Sequence, residues 1–324
     1  MTTRRNFLKN TTMLAAGLGV SPLLSSSPLR SYQKEEVING KVRIAVIGVG
    51  MGCRDLQGAL TDNPWVHCVG MCDVNKVRLE EQLARFKKDF PEQTVSIKAY
   101  TDFREVLANK EIDGVIIATP DHWHPYIFAE ALKAGKAIYV EKPVGNSISE
   151  CNAMMDFQKK YKGVVTTGLW QTSQRYFRAA NEILKSGVLG DVYKVQLWLC
   201  QSTNPRPSVE DSEAPSTLDY DMWLGPAPER PFNNSRFRGW RGFWDYGGGQ
   251  QTDWGVHWID SAFDGLKALG LCDREYPDAV FSIAYKDPAS FNETPSCQTS
   301  IFQYKNFHIE WAQQVAYLYN RNQG

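Results

Sequence analysis

Residues 41–52 read Lys-Val-Arg-Ile-Ala-Val-Ile-Gly-Val-Gly-Met-Gly, a β-branched apolar run that ends in closely spaced glycines and passes at Arg54 into a polar-apolar helical pattern. Strand, tight turn and helix, in that order, is what a phosphate cradle requires. Glycine lets the backbone turn sharply and approach a pyrophosphate, while the helix N-terminus offers open N–H groups and a partial positive charge. Gly48, Gly50, Met51 and Gly52 are therefore candidate cofactor contacts. The third glycine of a G-x-G-x-x-G pattern falls on Cys53, which is small enough to keep helix and strand close. A second buried-looking strand over residues 65–72 ends in Asp73, 25 residues after Gly48. An acid there receives the adenosine ribose hydroxyls. It also repels a 2′-phosphate, so NAD is expected over NADP, with Lys76 the basic residue immediately at hand.

The alternation continues through a helix over 75–88, a short strand near 96–100, a helix over 103–109 with Thr101 and Asp102 as capping candidates, and a strand over 114–118. That strand runs into Thr119-Pro120-Asp121-His122-Trp123-His124-Pro125, then a helix to about 134 and a strand over 137–140 that ends in Glu141-Lys142-Pro143. Ser147 and Glu150 form a capping box for a helix to about 162, and residues 164–168 add a last parallel strand. This order predicts an α/β doubly wound parallel sheet with ligands beyond the carboxyl ends of its strands. Thr119, Pro120, His124, Glu141 and Lys142 all fall at those ends and join the candidate cofactor site. His122 and His124 invite a metal reading, but no cysteine or carboxylate cluster supplies further ligands at the usual spacing, so no metal is expected. Contact with the cofactor, or a cap on the following helix, is the more economical role for His124.

Further on, Gly247-Gly248-Gly249 opens a helical pattern in which Asp253 and His257 lie four residues apart and so share one face. A carboxylate and an imidazole projected together can bind a polar substrate and move a proton near neutrality.

Taken together, Gly48-x-Gly50, Asp73, the Thr119 to His124 run, Glu141-Lys142-Pro143 and the glycine run through Asp253 and His257 resemble the Gfo/Idh/MocA family of nicotinamide-dependent sugar oxidoreductases, over residues 41–311. The resemblance implies a Rossmann domain followed by an α+β domain with an open, mostly antiparallel sheet, and homo-oligomerisation through that sheet. It implies that Lys142 lies near the nicotinamide and the reacting hydroxyl, that Asp253 positions the substrate, and that His257 is the general acid/base. The expected reaction is hydride transfer from a secondary hydroxyl of a sugar, polyol or sugar derivative. Two alternatives stand beside it: an NAD-dependent glycoside hydrolase that oxidises the sugar transiently, and a non-catalytic sugar-binding relative. Family members continue through more strands, so the chain is expected to be truncated at its C-terminus.

The second half holds a helix over 176–185, a turn at 187–190, a strand over 192–200 and a long irregular section over 201–249. Within that section Trp240, Arg241 and Trp244 combine flat apolar faces with charged donors, a surface suited to sugar rings. Strands follow over 279–285, 298–304 and 308–312. The expected organisation is a signal and linker over 1–35, the nucleotide-binding domain over 36–168 and the substrate-binding and oligomerisation domain over 169–324. Arg4-Arg5 with the short apolar stretch to Val20 reads as a twin-arginine export signal to the periplasm, with no membrane span left after its removal. Free NAD is scarce outside the cytoplasm, so a tightly held cofactor recycled in place is expected. Lysine plus arginine and aspartate plus glutamate balance at 36 each, which leaves no basic field for nucleic acid. The 7 scattered cysteines look like free thiols in apolar segments.

Overall fold

A computed structural model describes residues 41–50, 63, 65–91, 97–200, 206–273 and 276–314. The export signal, Met51, Gly52 and Cys53 lie outside the described residues. The chain forms two compact units: one takes residues up to Thr167 together with Glu213–Pro231, the other takes Gly168–Ser212 and Phe232 onward. The expected boundary at 168 is thus crossed once more, when residues 213–231 return to the first unit.

The first unit is a parallel sheet of strands β1 (Val42–Ile47), β2 (Val66–Cys72), β3 (Lys98–Tyr100), β4 (Gly114–Ile117), β5 (Ala137–Val140) and β6 (Val165–Thr167), in the order β3-β2-β1-β4-β5-β6. Strand order reverses between β1 and β4, the point at which doubly wound sheets open a crevice. Alternation along the buried strands feeds two cores. Ile47, Val115, Ile117, Ile138 and Val140 face helices α2 (Phe103–Ala108), α3 (His124–Lys133) and α4 (Ile148–Tyr161), while Ile44, Val46, Met71 and Ile116 face Leu79 and Phe86 of α1 (Lys76–Asp89). Each such side chain contributes about 1.5–3 kcal/mol by leaving water. Asn75 and Asp102 cap α1 and α2, and Ser147 with Glu150 closes both bonds of its capping box at α4.

The second unit carries α5 (Arg175–Lys185) and a mixed sheet of β7 (Lys194–Cys200), β8 (Ala279–Tyr285), β9 (Cys297–Gln303) and β10 (His308–Gln314), in the order β7-β10-β9-β8. Only β7 and β10 run parallel. The section expected to be irregular over 201–249 instead contains α6 (Tyr220–Leu224), α7 (Asn234–Arg238) and a 3-10 turn over Trp240–Gly242. Asp219 and Asn233 cap the two helices through their side chains, and elements this short carry too few residues to show a hydrophobic period. A longer helix, α8 (Val256–Ala268), packs Leu266 against Tyr304, Phe307 and Ile309.

Among the described residues six cysteines are free, with Cys68, Cys72 and Cys272 buried and Cys200 exposed. Burial pushes the Cys68 thiol up to about 12, so it is an inert packing group. No described helix is long and apolar enough to cross a membrane.

One ion pair ties β1 to β4 at the end of the sheet remote from the crevice. Arg43 donates from Nε and Nη2 to the two Asp113 oxygens at 3.0 and 2.9 Å, and its backbone N–H adds a third bond at 2.8 Å. Burial alone raises the Asp113 carboxyl, but the bonds and charge of Arg43, with the charge of Lys136, outweigh it and leave the group below its ordinary value. Such a depressed carboxyl stabilises the fold above the unfolded value near 4 and loses that contribution as pH falls through its folded value. Asp113→Asn is therefore expected to cost about 1–3 kcal/mol at pH 7 in urea unfolding. The gap to wild type should close below about pH 4; a gap independent of pH would contradict the assignment.

Candidate active site

The crevice is built by a glycine that accepts no side chain. Gly48, at φ +89°, follows β1, and a Cβ there would stand 2.6 Å from the backbone of Ala118 and Thr119 at the end of β4. Its N–H donates to Cys72 O at 2.8 Å, and Ala118 N–H donates to Ile47 O at 2.8 Å, which joins the carboxyl ends of three neighbouring strands. Asp73 locks the turn from the other side. Its Oδ2 accepts from Val49 N–H at 3.0 Å and its Oδ1 from Asn75 N–H at 2.9 Å, with the residue only 8 % exposed. Burial raises the Asp73 carboxyl above its ordinary value, and the two N–H groups and the Arg78 cation pull it part of the way back. A carboxylate held against desolvation at a sheet edge is the kind of group found at working sites.

These residues fit a dinucleotide. Among the described residues, the atom nearest the position of a Gly50 side chain is Arg78 Nη1, at 3.9 Å. Thr119 Oγ1 is buried without a hydrogen-bond partner at the end of β4, where a bound ligand would complete it.

His124 is held between the loops after β4 and β5. It is 1 % exposed, with Nδ1 2.7 Å from Pro143 O and Nε2 2.9 Å from Thr119 O. The ring braces the loop after β4 to the loop after β5; a neutral imidazole donates to one of these carbonyls and an imidazolium to both. Beside it, Lys142 precedes a cis bond to Pro143, and its backbone N–H donates to Glu141 Oε2 at 3.2 Å. Tyr139 donates to Glu141 Oε1 at 3.3 Å. Pro120 starts the 3-10 turn Asp121–Trp123 that leads into α3.

His122 diverges from His124: its Nε2 lies 3.0 Å from Trp223 O, which also accepts from Trp123 Nε1 at 3.0 Å. These contacts hold the returning segment, as do Lys76 N–H on Thr217 O at 2.9 Å and Asp219 N–H on Val74 O at 3.0 Å. No group of three or more His, Cys, Asp or Glu side chains among the described residues is arranged to hold a metal ion.

In the second unit a helix opens at Gly249, as the pattern places it, but it is not α-helical throughout. Residues Gln251–Gly255 form a π turn, and the α-helix starts at Val256. Asp253 therefore lies in the wide turn and His257 in the first α turn, a distortion frequent at functional sites. Gly255 sits at the junction, where a Cβ would be 3.2 Å from the Trp311 indole. Asp253 Oδ2 lies 3.2 Å from Arg241 Nε, and the Arg241 guanidinium stacks 4.2 Å over the Trp240 ring. His257 is 3 % exposed, edge-on to Trp170 with centroids 5.8 Å apart and against Trp254 at 6.0 Å. Trp240, Arg241 and Asp253 thus form one cluster. Trp244 stands 57 % exposed, with its backbone N–H donating to Glu293 Oε2 at 3.0 Å. Trp170 carries no periodic signal of its own, and its place beside His257 emerges only in the folded chain.

A family profile described as an oxidoreductase family, NAD-binding Rossmann fold, matches residues 42–169, and the C-terminal alpha/beta domain of the same family matches residues 178–267. An alpha-N-acetylgalactosaminidase of Tannerella forsythia is 33 % identical over 163 residues, covering 46 % of this chain and 34 % of that protein. An inositol 2-dehydrogenase of Salmonella typhimurium is 24 % identical over 151 residues, covering 46 % of this chain and 43 % of that protein. The chain thus aligns with less than half the length of either relative. The WlbA dehydrogenase of Bordetella pertussis, solved with NADH and UDP-GlcNAcA, shares the fold at a TM-score of 0.64 and 17 % identity, over 86 % of this chain and 73 % of that one. With both family domains matched in order and the glycine turn and terminal acid in register, the chain belongs to the Gfo/Idh/MocA family of oxidoreductases with an NAD-binding Rossmann fold.

Proposed function

We propose that this protein is an NAD-dependent oxidoreductase acting on a secondary hydroxyl of a sugar, polyol or sugar derivative. The observation that carries the reading is the crevice at the β1/β4 switch point: a glycine turn closed by Asp73, with a buried Thr119 hydroxyl at the end of β4 that lacks a protein hydrogen-bond partner. Bound NAD supplies the hydride acceptor. His257, a buried imidazole among indole rings, is suited to take the proton of a substrate hydroxyl. Lys142 stabilises the oxygen as negative charge develops there. Asp253, oriented by Arg241, accepts from a neighbouring substrate hydroxyl, and Trp240 offers its ring to the C–H face of a sugar. Asp73 at the adenosine end supports NAD in preference to NADP.

A second reading rests on the similarity to an alpha-N-acetylgalactosaminidase: transient oxidation, elimination of the glycosidic bond and return of the hydride. Reduced-nicotinamide absorbance over a panel of sugars separates the two. The dehydrogenase reading expects net reduction, and His257→Ala should lower turnover by about 10²–10⁴. Aryl-glycoside cleavage that requires NAD without net reduction would select the hydrolase, and undiminished turnover of the variant would remove His257 from either scheme.

The Arg4-Arg5 run supports export to the periplasm with the cofactor already bound. The wholly exposed β8, which carries Val280, Phe281, Ile283 and Tyr285, supports assembly of copies through the second sheet. Native mass spectrometry of protein purified from the periplasm is expected to find an oligomer carrying one nucleotide per chain; a bare monomer would refute both points.

A further inference from the structure

Residues 213–231 lie in the second half of the sequence yet fold into the first unit. They attach at two places. At one, Lys76 N–H donates to Thr217 O at 2.9 Å, Asp219 N–H donates to Val74 O at 3.0 Å, and Leu218 pairs antiparallel with Asn75. At the other, Trp223 O accepts from His122 Nε2 and from Trp123 Nε1, each at 3.0 Å, and the Trp223 ring stands edge-on to His122 with centroids 5.6 Å apart. The backbone at Gly225 rests on the Trp123 ring, where a Cβ would come within 2.1 Å of Cζ2. Leu218, Trp223, Leu224 and Ala227 are all buried, so packing as well as bonding holds the segment down.

The two attachments flank the glycine turn. Strand order β2-β1-β4 puts the loop after β2 on one side of the turn that follows β1 and the loop after β4 on the other. On the first side the held backbone adjoins Asp73, whose carboxylate accepts from Asn75 N–H and from Val49 N–H in the turn itself. On the second side the held 3-10 turn Asp121–Trp123 follows Thr119 and its buried hydroxyl. One segment therefore ties together both walls of the nucleotide crevice, through bonds that lie outside the six-stranded sheet. Detaching such a segment is a local opening that leaves the rest of the fold standing. A ligand that touches both walls and this opening must then oppose one another by linkage.

We propose that residues 213–231 are a clasp that sets how long the nucleotide stays bound: release waits on detachment of the segment from the two walls, and bound nucleotide holds the segment down in turn. Its residues are positioning residues, acting through the loops after β2 and β4. This rests on the nucleotide-binding reading of the crevice and adds to it the element that governs retention.

Hydrogen exchange of the whole wild-type chain, read by mass spectrometry with and without NAD, is the first test. With NAD at about a hundred times its dissociation constant, peptides covering 213–231 are expected to exchange up to about a hundredfold more slowly, while peptides from β8 and β9 keep their rates. The second readout is the release of NADH, followed by its fluorescence on chasing with excess NAD. Asp219→Pro suits the φ of −75° found there and removes both the N–H given to Val74 O and the carboxylate that caps α6, so NADH should leave about tenfold faster. Leu218→Ala, which shortens a buried side chain and leaves every hydrogen bond in place, should move the rate the same way. Because binding retraces release, association should quicken alongside and the dissociation constant stay close to that of wild type. Unchanged exchange over 213–231 with NAD bound, release as slow as wild type in both variants, or faster release paired with slower association would each overturn the clasp. Should Asp219→Pro fail to fold, Leu218→Ala and the exchange of wild type decide. Wild type that binds neither NAD nor NADH would instead overturn the nucleotide site itself, and the clasp with it.

Discussion

Close approach of the Gly48 backbone to the end of β4 is the constraint on which the first unit depends. No other residue type combines φ +89° with 2.6 Å clearance to the Ala118 and Thr119 backbone. Because that turn can form, β1 and β4 end side by side at the point where strand order reverses. Asp73 then reaches from the end of β2 to hold Val49 N–H, so one carboxylate fixes the turn it also helps to furnish. The His124 ring performs a similar service for the neighbouring loops, linking the Thr119 and Pro143 carbonyls. Pre-organisation of this kind lets a ligand bind without first ordering the loops that receive it.

In the second unit the organising group is Asp253. Its pairing with Arg241, and the stacking of Arg241 on Trp240, put a charged fork and an aromatic face on one surface. His257 sits nearby in sequence but in a drier setting, between Trp170 and Trp254. An imidazole walled by indole rings is shielded from water, which strengthens every electrostatic interaction around it.

Most of the first unit was legible because its signals are local or periodic. Apolar β-branched runs between turns gave the six parallel strands, and Ser147 with Glu150 announced a capping box that forms with both of its bonds. What escaped depends on long-range contact. Gly255, at the end of the wide turn around Asp253, lies against Trp311, 56 residues further along the chain by number. The return of residues 213–231 to the first unit rests on bonds from Trp223 O to His122 and Trp123, about 100 residues apart in sequence. The brace that His124 makes between the Thr119 and Pro143 carbonyls likewise depends on residues that no local pattern brings together.

The most direct measurement is thermal unfolding of Gly48→Ala beside wild type, with and without saturating NAD. A methyl group at this turn meets the backbone at the end of β4 in a left-handed conformation, so the variant is expected to lose about 2 kcal/mol or more and the upward shift in Tm that NAD gives wild type. A variant as stable as wild type, with the same shift on adding NAD, would contradict the account of the crevice.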